Sequence, residues 1–251
     1  MVGAGNVATH IALRLAERGT APVQIWSRHL ESAEELAARV RCLATADMRC
    51  LDTTADIYVV SVADVAMMDV IEKLCHHCHD GVFIHTAGTM PMDMFKGHCA
   101  HYGVVYPMQT FTKKKDLDFD SVSCFVEASD AATFSTIETF ARLLTSHVQQ
   151  LSGNDRRWLH LAAVFACNFT NACYAQAARM LESHGVDFRV LLPLIDETTR
   201  KIHSLAPKEA QTGPAARHDY NVMEKHMEML EDTPDLHSMY KLMSEIIMND
   251  C

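Results

Sequence analysis

The chain has 251 residues, which is enough for one large or two modest domains with hydrophobic cores. Its net charge of −10 argues against a nucleic-acid partner, because phosphate backbones select basic surfaces. No apolar run approaches the ~18 residues that a membrane-spanning helix needs, so we expect no membrane contact. Nine scattered cysteines and the lack of a secretory signal indicate reduced thiols and a cytoplasmic protein.

A glycine-rich turn opens the chain and leads directly into a helix. Gly3 permits a tight turn, Gly5 leaves room for a diphosphate, and Ala8 lets the helix lie close to a sheet. The N–H groups of the first helical turn, at Asn6 and Val7, would then face the diphosphate. This pattern alone is weak evidence. Moreover, only two residues precede Gly3, so either the first strand is a stub or the chain begins inside a longer sequence.

Hydrophobic alternation and apolar runs predict the remaining elements in chain order. The predicted strands cover residues 23–27, 56–62, 81–84, 103–106, 123–128 and 148–151, with helices between them, including 30–40 and 131–144. After Ser152 every predicted element is helical: 156–183, 188–205, 220–230 and 236–248. We therefore predict an α/β Rossmann-type doubly wound sheet over residues 1–151, followed by an all-α domain over 152–251.

The end of the second predicted strand indicates which dinucleotide binds. Sites that prefer NAD place an acidic residue ~20 positions after the glycines, whereas this chain has Ser27 and Arg28 there. A hydroxyl and a guanidinium suit a 2′-phosphate, which favours NADP. The alternative is a capping serine beside a surface arginine. We also expect Val62, Ala63 and Thr86 to contact the cofactor, since Val62 ends a predicted strand and Ala63 and Thr86 come after one, at the carboxyl edge of the sheet.

The long helix carries a polar stripe along one face. His160, Val164, Asn168 and Asn171 recur at helical spacing among apolar residues, so we expect the helix to be buried. The polar groups would then face a cleft with a polar ligand, or form hydrogen bonds within the core or at a dimer seam. The segment from Cys75 to His79 lacks a second ligand pair, so we predict no metal site.

Several motifs together resemble one family. The glycine turn, His85 to Thr89, Tyr106 to Phe111, Leu159 to Asn171 and Ala210 to Pro214 resemble NADP oxidoreductases in which a Rossmann-like domain precedes a C-terminal domain of unknown function. The chain is more distantly similar to the 6-phosphogluconate dehydrogenase-like superfamily, which includes hydroxyisobutyrate dehydrogenase, ketopantoate reductase and pyrroline-5-carboxylate reductase.

The resemblance implies an NADP-binding domain, a helical domain that forms homodimers, and a cleft between them for a small-molecule substrate. In the hydroxyacid dehydrogenases a lysine stands four residues before the helix asparagine, whereas this chain has Val164 before Asn168. His160 would then donate or accept the proton, Asn168 and Asn171 would position the substrate, and His85 and Gln109 would line the cleft. The alternative is an NADP-binding sensor or regulator without catalysis.

Overall fold

The structure is a computed structural model that describes residues 1–250. The chain forms two compact units, one from Met1 to Asn171 and a second that begins at Ala172. The predicted domain boundary at 151/152 falls before the long helix, whose first half lies in the first unit. The boundary between functional domains stays a prediction.

The first unit alternates strands and helices, as the sequence predicts. Its strands are β1 (Gln24–Trp26), β2 (Leu43–Thr45), β3 (Ile57–Val60), β4 (Val82–His85), β5 (His101–Met108), β6 (Ser123–Ala128) and β7 (Val148–Gln150). Its helices are α1 (Asn6–Glu17), α2 (Leu30–Val40), α3 (Asp64–His77), α4 (Ala131–Leu144) and α5 (Gly153–Ala163), the last followed by a π-helical stretch (Val164–Phe169).

The sheet is parallel except at one pair of strands. Five strands follow the order β3-β4-β5-β6-β7, in which only β5 and β6 run antiparallel, and β1 pairs with β2 in parallel. Val2 forms parallel bridges to both Trp26 and Val60, so the start of the chain lies between β1 and β3. This topology confirms the Rossmann-type α/β fold.

Helices cover both faces of the sheet because alternate strand residues point to opposite sides. On one face, Val59 packs in a cluster with Ile11 of α1 and Ile137 of α4. On the other face, Tyr58 and Val60 pack with residues of α3 and with Phe95. The carboxyl ends of β1, β3 and β4 are thereby fixed at one edge, where the glycine turn also lies.

The second unit is helical. The described elements are α6 (Thr170–Glu182), which continues the long helix, then α7 (Leu192–Lys201), α8 (Pro207–Ala210), α9 (Tyr220–Glu228) and α10 (Pro234–Asp250). His226 Nδ1 and the Tyr240 hydroxyl lie 2.9 Å apart and join α9 to α10. Within residues 1–250, no helix has the length and apolar character to cross a membrane.

Three local predictions differ from the structure. The strand β2 was not predicted, because one of its three residues is exposed, the other two are only half-buried, and they form no buried apolar pattern. The predicted helix 188–205 is a 3-10 turn (Phe188–Leu191) followed by the shorter α7. The long helix is not buried: Trp158, Phe165 and Phe169 are 65%, 62% and 50% exposed. Only a few of its side chains, in its first turns, pack against the sheet.

Candidate cofactor and substrate site

The glycine turn lies against the end of β3. Gly3 has φ of +121°, and a Cβ there would come within 2.1 Å of the Ser61 carbonyl oxygen. Only glycine fits both this backbone conformation and this close approach. At Gly5, by contrast, a Cβ would meet nothing within 4 Å, so the backbone borders open space. A diphosphate can therefore approach the main chain at Gly5.

The helix that follows this turn is suited to bind an anion. Gly5 is the N-cap of α1, and no side chain caps the helix there. The first turn of α1 also contains no acidic residue. The first N–H groups of the helix and its dipole are therefore available to a negatively charged group.

A cavity of about 770 Å³ surrounds this turn at the carboxyl edge of the sheet. Its walls come from the glycine turn, the end of β1, the β3–α3 loop and the residues after β4. All nine residues predicted to bind the cofactor line this cavity: Gly3, Gly5, Asn6, Val7, Ser27, Arg28, Val62, Ala63 and Thr86.

The far end of the cavity, after β1, lacks a carboxylate. Ser27 Oγ accepts a hydrogen bond of 3.3 Å from the His29 N–H, and Arg28 is exposed. Arg28 forms no salt bridge with any carboxylate of the part of the chain that the structure describes. Its guanidinium is thus available to an added phosphate. The open backbone at Gly5, the uncapped helix and this cation together fit NADP.

Just beyond this cavity lies a histidine–tyrosine pair. Thr86 and Ala87 line the cavity, and the next residue, Gly88, contacts the ring of His160: a Cβ at Gly88 would lie 2.5 Å from His160 Nδ1. The same nitrogen is 3.0 Å from the hydroxyl of Tyr106 on β5. The predicted proton donor is therefore held, within one unit, next to residues that border the cofactor cavity.

Arg156 fixes the helix that carries His160. Its guanidinium is buried, forms a 2.6 Å ion pair with Glu127 on β6, and donates to the Met90 carbonyl at 2.7 Å. Glu127 also accepts from the Gly153 N–H at 2.9 Å. Since residues four apart lie on one face of a helix, this anchor sets the position of His160.

His85 lies at the end of β4 but beneath the surface. Its side chain is fully buried and stacks on Phe95, and its Nδ1 accepts a 3.2 Å hydrogen bond from the Ala87 N–H. Nε2 has no hydrogen-bond partner. Burial, and next the positive charge of Arg156, lower the pKa of His85 to about 3. His85 is therefore neutral in the folded protein, and its role in substrate binding stays a prediction.

We expect this buried imidazole to make the protein acid-labile. The unfolded chain binds a proton at His85 below its ordinary pKa of 6.5, whereas the folded protein binds it only near pH 3. The free energy of unfolding should therefore fall with pH below 6.5, by about 2 kcal/mol at pH 5. Urea unfolding of the wild type and of His85→Phe at pH 7 and pH 5 measures this effect. The decrease in the free energy of unfolding between pH 7 and pH 5 should be smaller in His85→Phe than in the wild type. It should be unchanged in His79→Phe, which alters an exposed ring. Equal losses in all three proteins would contradict it.

The other predicted substrate residues, Asn168, Asn171 and Gln109, are exposed. Asn168 lies in the π-helical stretch, and Asn171 lies one turn later in α6. Gln109 follows β5, and its Oε1 accepts a 2.8 Å hydrogen bond from the N–H of its neighbour Thr110. The structure thus assembles His160 with Tyr106, while the roles of Asn168, Asn171 and Gln109 stay predictions.

Three residues of the site were given no role from the sequence: Gly88, Tyr106 and Arg156. The spacing of four between Arg156 and His160 was a usable signal, since it places a cation and an imidazole on one helix face. Nothing in the sequence pairs Tyr106 with His160, which are 54 positions apart. Among residues 1–250, no three His, Cys, Asp or Glu side chains are grouped as a metal site.

The chain is similar to known proteins along its whole length. Residues 1–87 match the family described as NADP oxidoreductase, coenzyme F420-dependent, and residues 122–247 match a domain of unknown function (DUF2520). A Bacteroides fragilis protein assigned as an NADP oxidoreductase is 43% identical over 99% of this chain and 96% of its own, with a TM-score of 0.94. The chain belongs to this family of NADP oxidoreductases. Its cofactor is NADP.

Two more distantly similar solved structures share the fold. An imine reductase from Myxococcus stipitatus, solved with NADP+, is 14% identical over 99% of this chain and 92% of its own, with a TM-score of 0.69. A pyrroline-5-carboxylate reductase from Coxiella burnetii is 16% identical over 99% and 94%, with a TM-score of 0.61. No curated protein matches the chain in sequence.

Proposed function

We propose that this member of the family is an NADPH-dependent reductase of a small polar imine or carbonyl compound. The observation that carries the proposal is the contact of Gly88 with the His160 ring, directly after Thr86 and Ala87 of the cofactor cavity. A titratable side chain is thereby placed beside the expected position of the cofactor. Similarity to imine and pyrroline-5-carboxylate reductases supports reduction of a C=N or C=O bond.

In this proposal the chain handles binding and the proton. When bound, NADPH supplies the hydride. His160 donates the proton to the nitrogen or oxygen that becomes negative as hydride arrives. In its protonated form His160 would donate its Nδ1 proton to the Tyr106 hydroxyl oxygen, 3.0 Å away, and present its Nε2 proton to the substrate. After the transfer the neutral imidazole would accept a hydrogen bond at Nδ1 from Tyr106, which keeps its proton because burial raises its pKa. Asn168 and Asn171 are proposed to position the substrate. Gln109 is proposed to line the cleft, and His85, which is fully buried, would support the cleft from beneath its surface.

Binding of NADPH is assigned to the residues of the cavity. Gly3, Gly5, Asn6 and Val7 are proposed to bind the diphosphate through the backbone at the start of α1. At the opposite end, Ser27 and Arg28 would bind the 2′-phosphate. The remaining contacts with the cofactor are proposed for Val62, Ala63 and Thr86, at the carboxyl ends of β3 and β4.

The experiment that tests the proposal follows oxidation of bound NADPH by its fluorescence in a stopped-flow instrument. A panel of cyclic imines, 2-oxo acids and aldehydes is mixed with the loaded protein. We expect at least one imine or carbonyl compound to oxidise NADPH in the presence of the protein but not in its absence. Tight NADPH binding without oxidation across the panel would favour the second function, an NADP-binding sensor. Val164 at the lysine position is the observation behind that alternative.

We also propose a homodimer formed through the helical part of the chain. Support comes from Trp158, Phe165 and Phe169, since large apolar side chains that are half or more exposed on one helix indicate an interface. Light scattering should give twice the mass of the chain, and Phe165→Glu should lower it to one chain. Leu43→Glu changes an exposed leucine on β2 and should stay dimeric. A monomeric wild type would contradict the proposal.

A further inference from the structure

A small cavity lies beside α1 and shares no lining residue with the cofactor cavity. Its volume is about 110 Å³, and its walls come from α1, from the last turn of α2 and from the loop between β5 and β6. Cationic side chains outnumber carboxylates there by four to two, although the whole chain has a net charge of −10. The cations are Arg14, Arg39, Lys113 and Lys115, and the carboxylates are Glu17 and Asp116. Positive charge is therefore concentrated at this cavity.

Three of the four cations have no carboxylate partner. Arg39, Lys113 and Lys115 form no salt bridge within residues 1–250. Of the two carboxylates, Glu17 is already paired with Arg14 at 3.5 Å. Asp116 is thus the one lining carboxylate that opposes the three unpaired cations, so their N–H groups can donate to an anion.

The fourth cation, Arg14, is a fixed part of the wall. Its side chain is only 12% exposed, and its Nε donates to the Leu144 carbonyl at 2.9 Å. The same guanidinium forms ion pairs with Glu17 and Asp120, which neutralise its charge. Arg14 therefore shapes the cavity, and the three unpaired cations supply its excess charge.

The loop that carries the two lysines is held against α1 by one carbonyl group. The Thr112 carbonyl accepts hydrogen bonds of 3.0 Å from Nε2 of the buried His10 and of 3.0 Å from the Lys115 N–H. The first bond attaches the loop to α1, and the second closes a turn from Thr112 to Lys115. Lys113 and Lys115 line the cavity, whereas Lys114 between them does not. A ligand would therefore meet two lysines on a turn that is already ordered, which lowers the entropic cost of binding.

The size and charge of the cavity restrict what can bind. A single carboxylate would leave two of the three unpaired cations without a counter-charge, whereas a dianion with several acceptor oxygens can receive hydrogen bonds from all three. A cavity of about 110 Å³ is well below the roughly 300 Å³ that a drug-sized molecule needs, so the group that enters it is small.

We propose that this cavity binds one phosphate dianion, either as free phosphate or as the end group of a small phosphate monoester. The phosphate oxygens would accept charge-assisted hydrogen bonds from Arg39, Lys113 and Lys115. The bound ion would thereby join α2 to the loop between β5 and β6.

The experiment is a calorimetric titration of the protein with inorganic phosphate at pH 8, in excess NADP+ that fills the cofactor cavity. We expect one phosphate per chain, and a dissociation constant that rises about 10-fold in each of Arg39→Ala, Lys113→Ala and Lys115→Ala. A second titration uses glycerol 3-phosphate. Tighter binding of this ester than of phosphate would assign the site to monoesters, and weaker binding would assign it to the free ion. No substrate is present, so the outcome is independent of the proposed reductase activity.

The matched control is Lys114→Ala, which removes the same charge from the same turn without changing the cavity. It should alter the dissociation constant by less than about twofold, since only long-range electrostatics change. Equal weakening by alanine at Lys113, Lys114 and Lys115, or no saturable binding of either probe, would overturn the proposal. So would binding that is lost in Arg28→Ala and kept in Lys115→Ala, because the ion would then occupy the cofactor cavity.

Discussion

Replacement of His160 by alanine should lower turnover by about 100-fold or more, which is the usual contribution of a positioned general acid. The NADPH dissociation constant should change less than about twofold, because His160 does not line the cofactor cavity. The measurement combines steady-state rates, with whichever imine or carbonyl compound the panel identifies, and a fluorescence titration with NADPH. Turnover should fall while cofactor binding persists.

Two further variants separate a proton role from a structural one. Tyr106→Phe removes the hydroxyl 3.0 Å from His160 Nδ1, and we expect it to lower turnover about tenfold and to shift the pH profile. His98→Ala changes an exposed imidazole and should leave both rate and profile unchanged. Wild-type turnover in His160→Ala would show that another group supplies the proton.

Replacement of Arg28 by alanine should weaken NADPH binding by about 10- to 100-fold and leave NADH binding unchanged. The physical reason is the loss of charge-assisted hydrogen bonds to the 2′-phosphate, worth about 1.5–3 kcal/mol. The structure supports this size of effect, since the exposed Arg28 guanidinium has no competing carboxylate in a salt bridge within residues 1–250. Titrations of wild type and variant with both dinucleotides measure it.

The matched control is Arg39→Ala. Arg39 is an exposed arginine on α2 that does not line the cofactor cavity. Its replacement by alanine changes the net charge of the protein by the same amount as Arg28→Ala. It should leave the preference for NADPH intact, with at most a small change in both affinities from long-range electrostatics. If the wild type binds NADH as tightly as NADPH, or if Arg28→Ala weakens both equally, Arg28 does not bind the 2′-phosphate.

The Rossmann-type half could be predicted well because its signals are local. The bounds of α2, α4 and β6 agree with the prediction, since each combines clear periodicity with recognisable ends. The cofactor cavity could also be anticipated, because parallel strands bring their carboxyl ends to one edge. That rule placed Ser27, Val62 and Thr86 around one cavity, although they are far apart in the chain.

The substrate side was harder to predict because it depends on contacts between distant segments. Helical spacing grouped His160 with Asn168 and Asn171, but it could not show that Tyr106 and Gly88 are the neighbours of the imidazole. The apolar composition of the long helix predicted that this helix is buried. In a single chain, however, much of its apolar face is exposed. Burial of such a helix depends on what covers it, and that information does not lie in the periodicity of one segment.

The most direct test of the account is isotope transfer. NADPH that carries deuterium at C4, on the hydride-donating face, is incubated with the protein and the imine and carbonyl panel, and the products are examined by mass spectrometry. We expect a product with one carbon-bound deuterium, formed by the wild type and about 100-fold more slowly by His160→Ala. NADPH bound tightly at the Gly3–Val7 turn, with no deuterium in any product, would contradict the account and assign the protein to the sensor class.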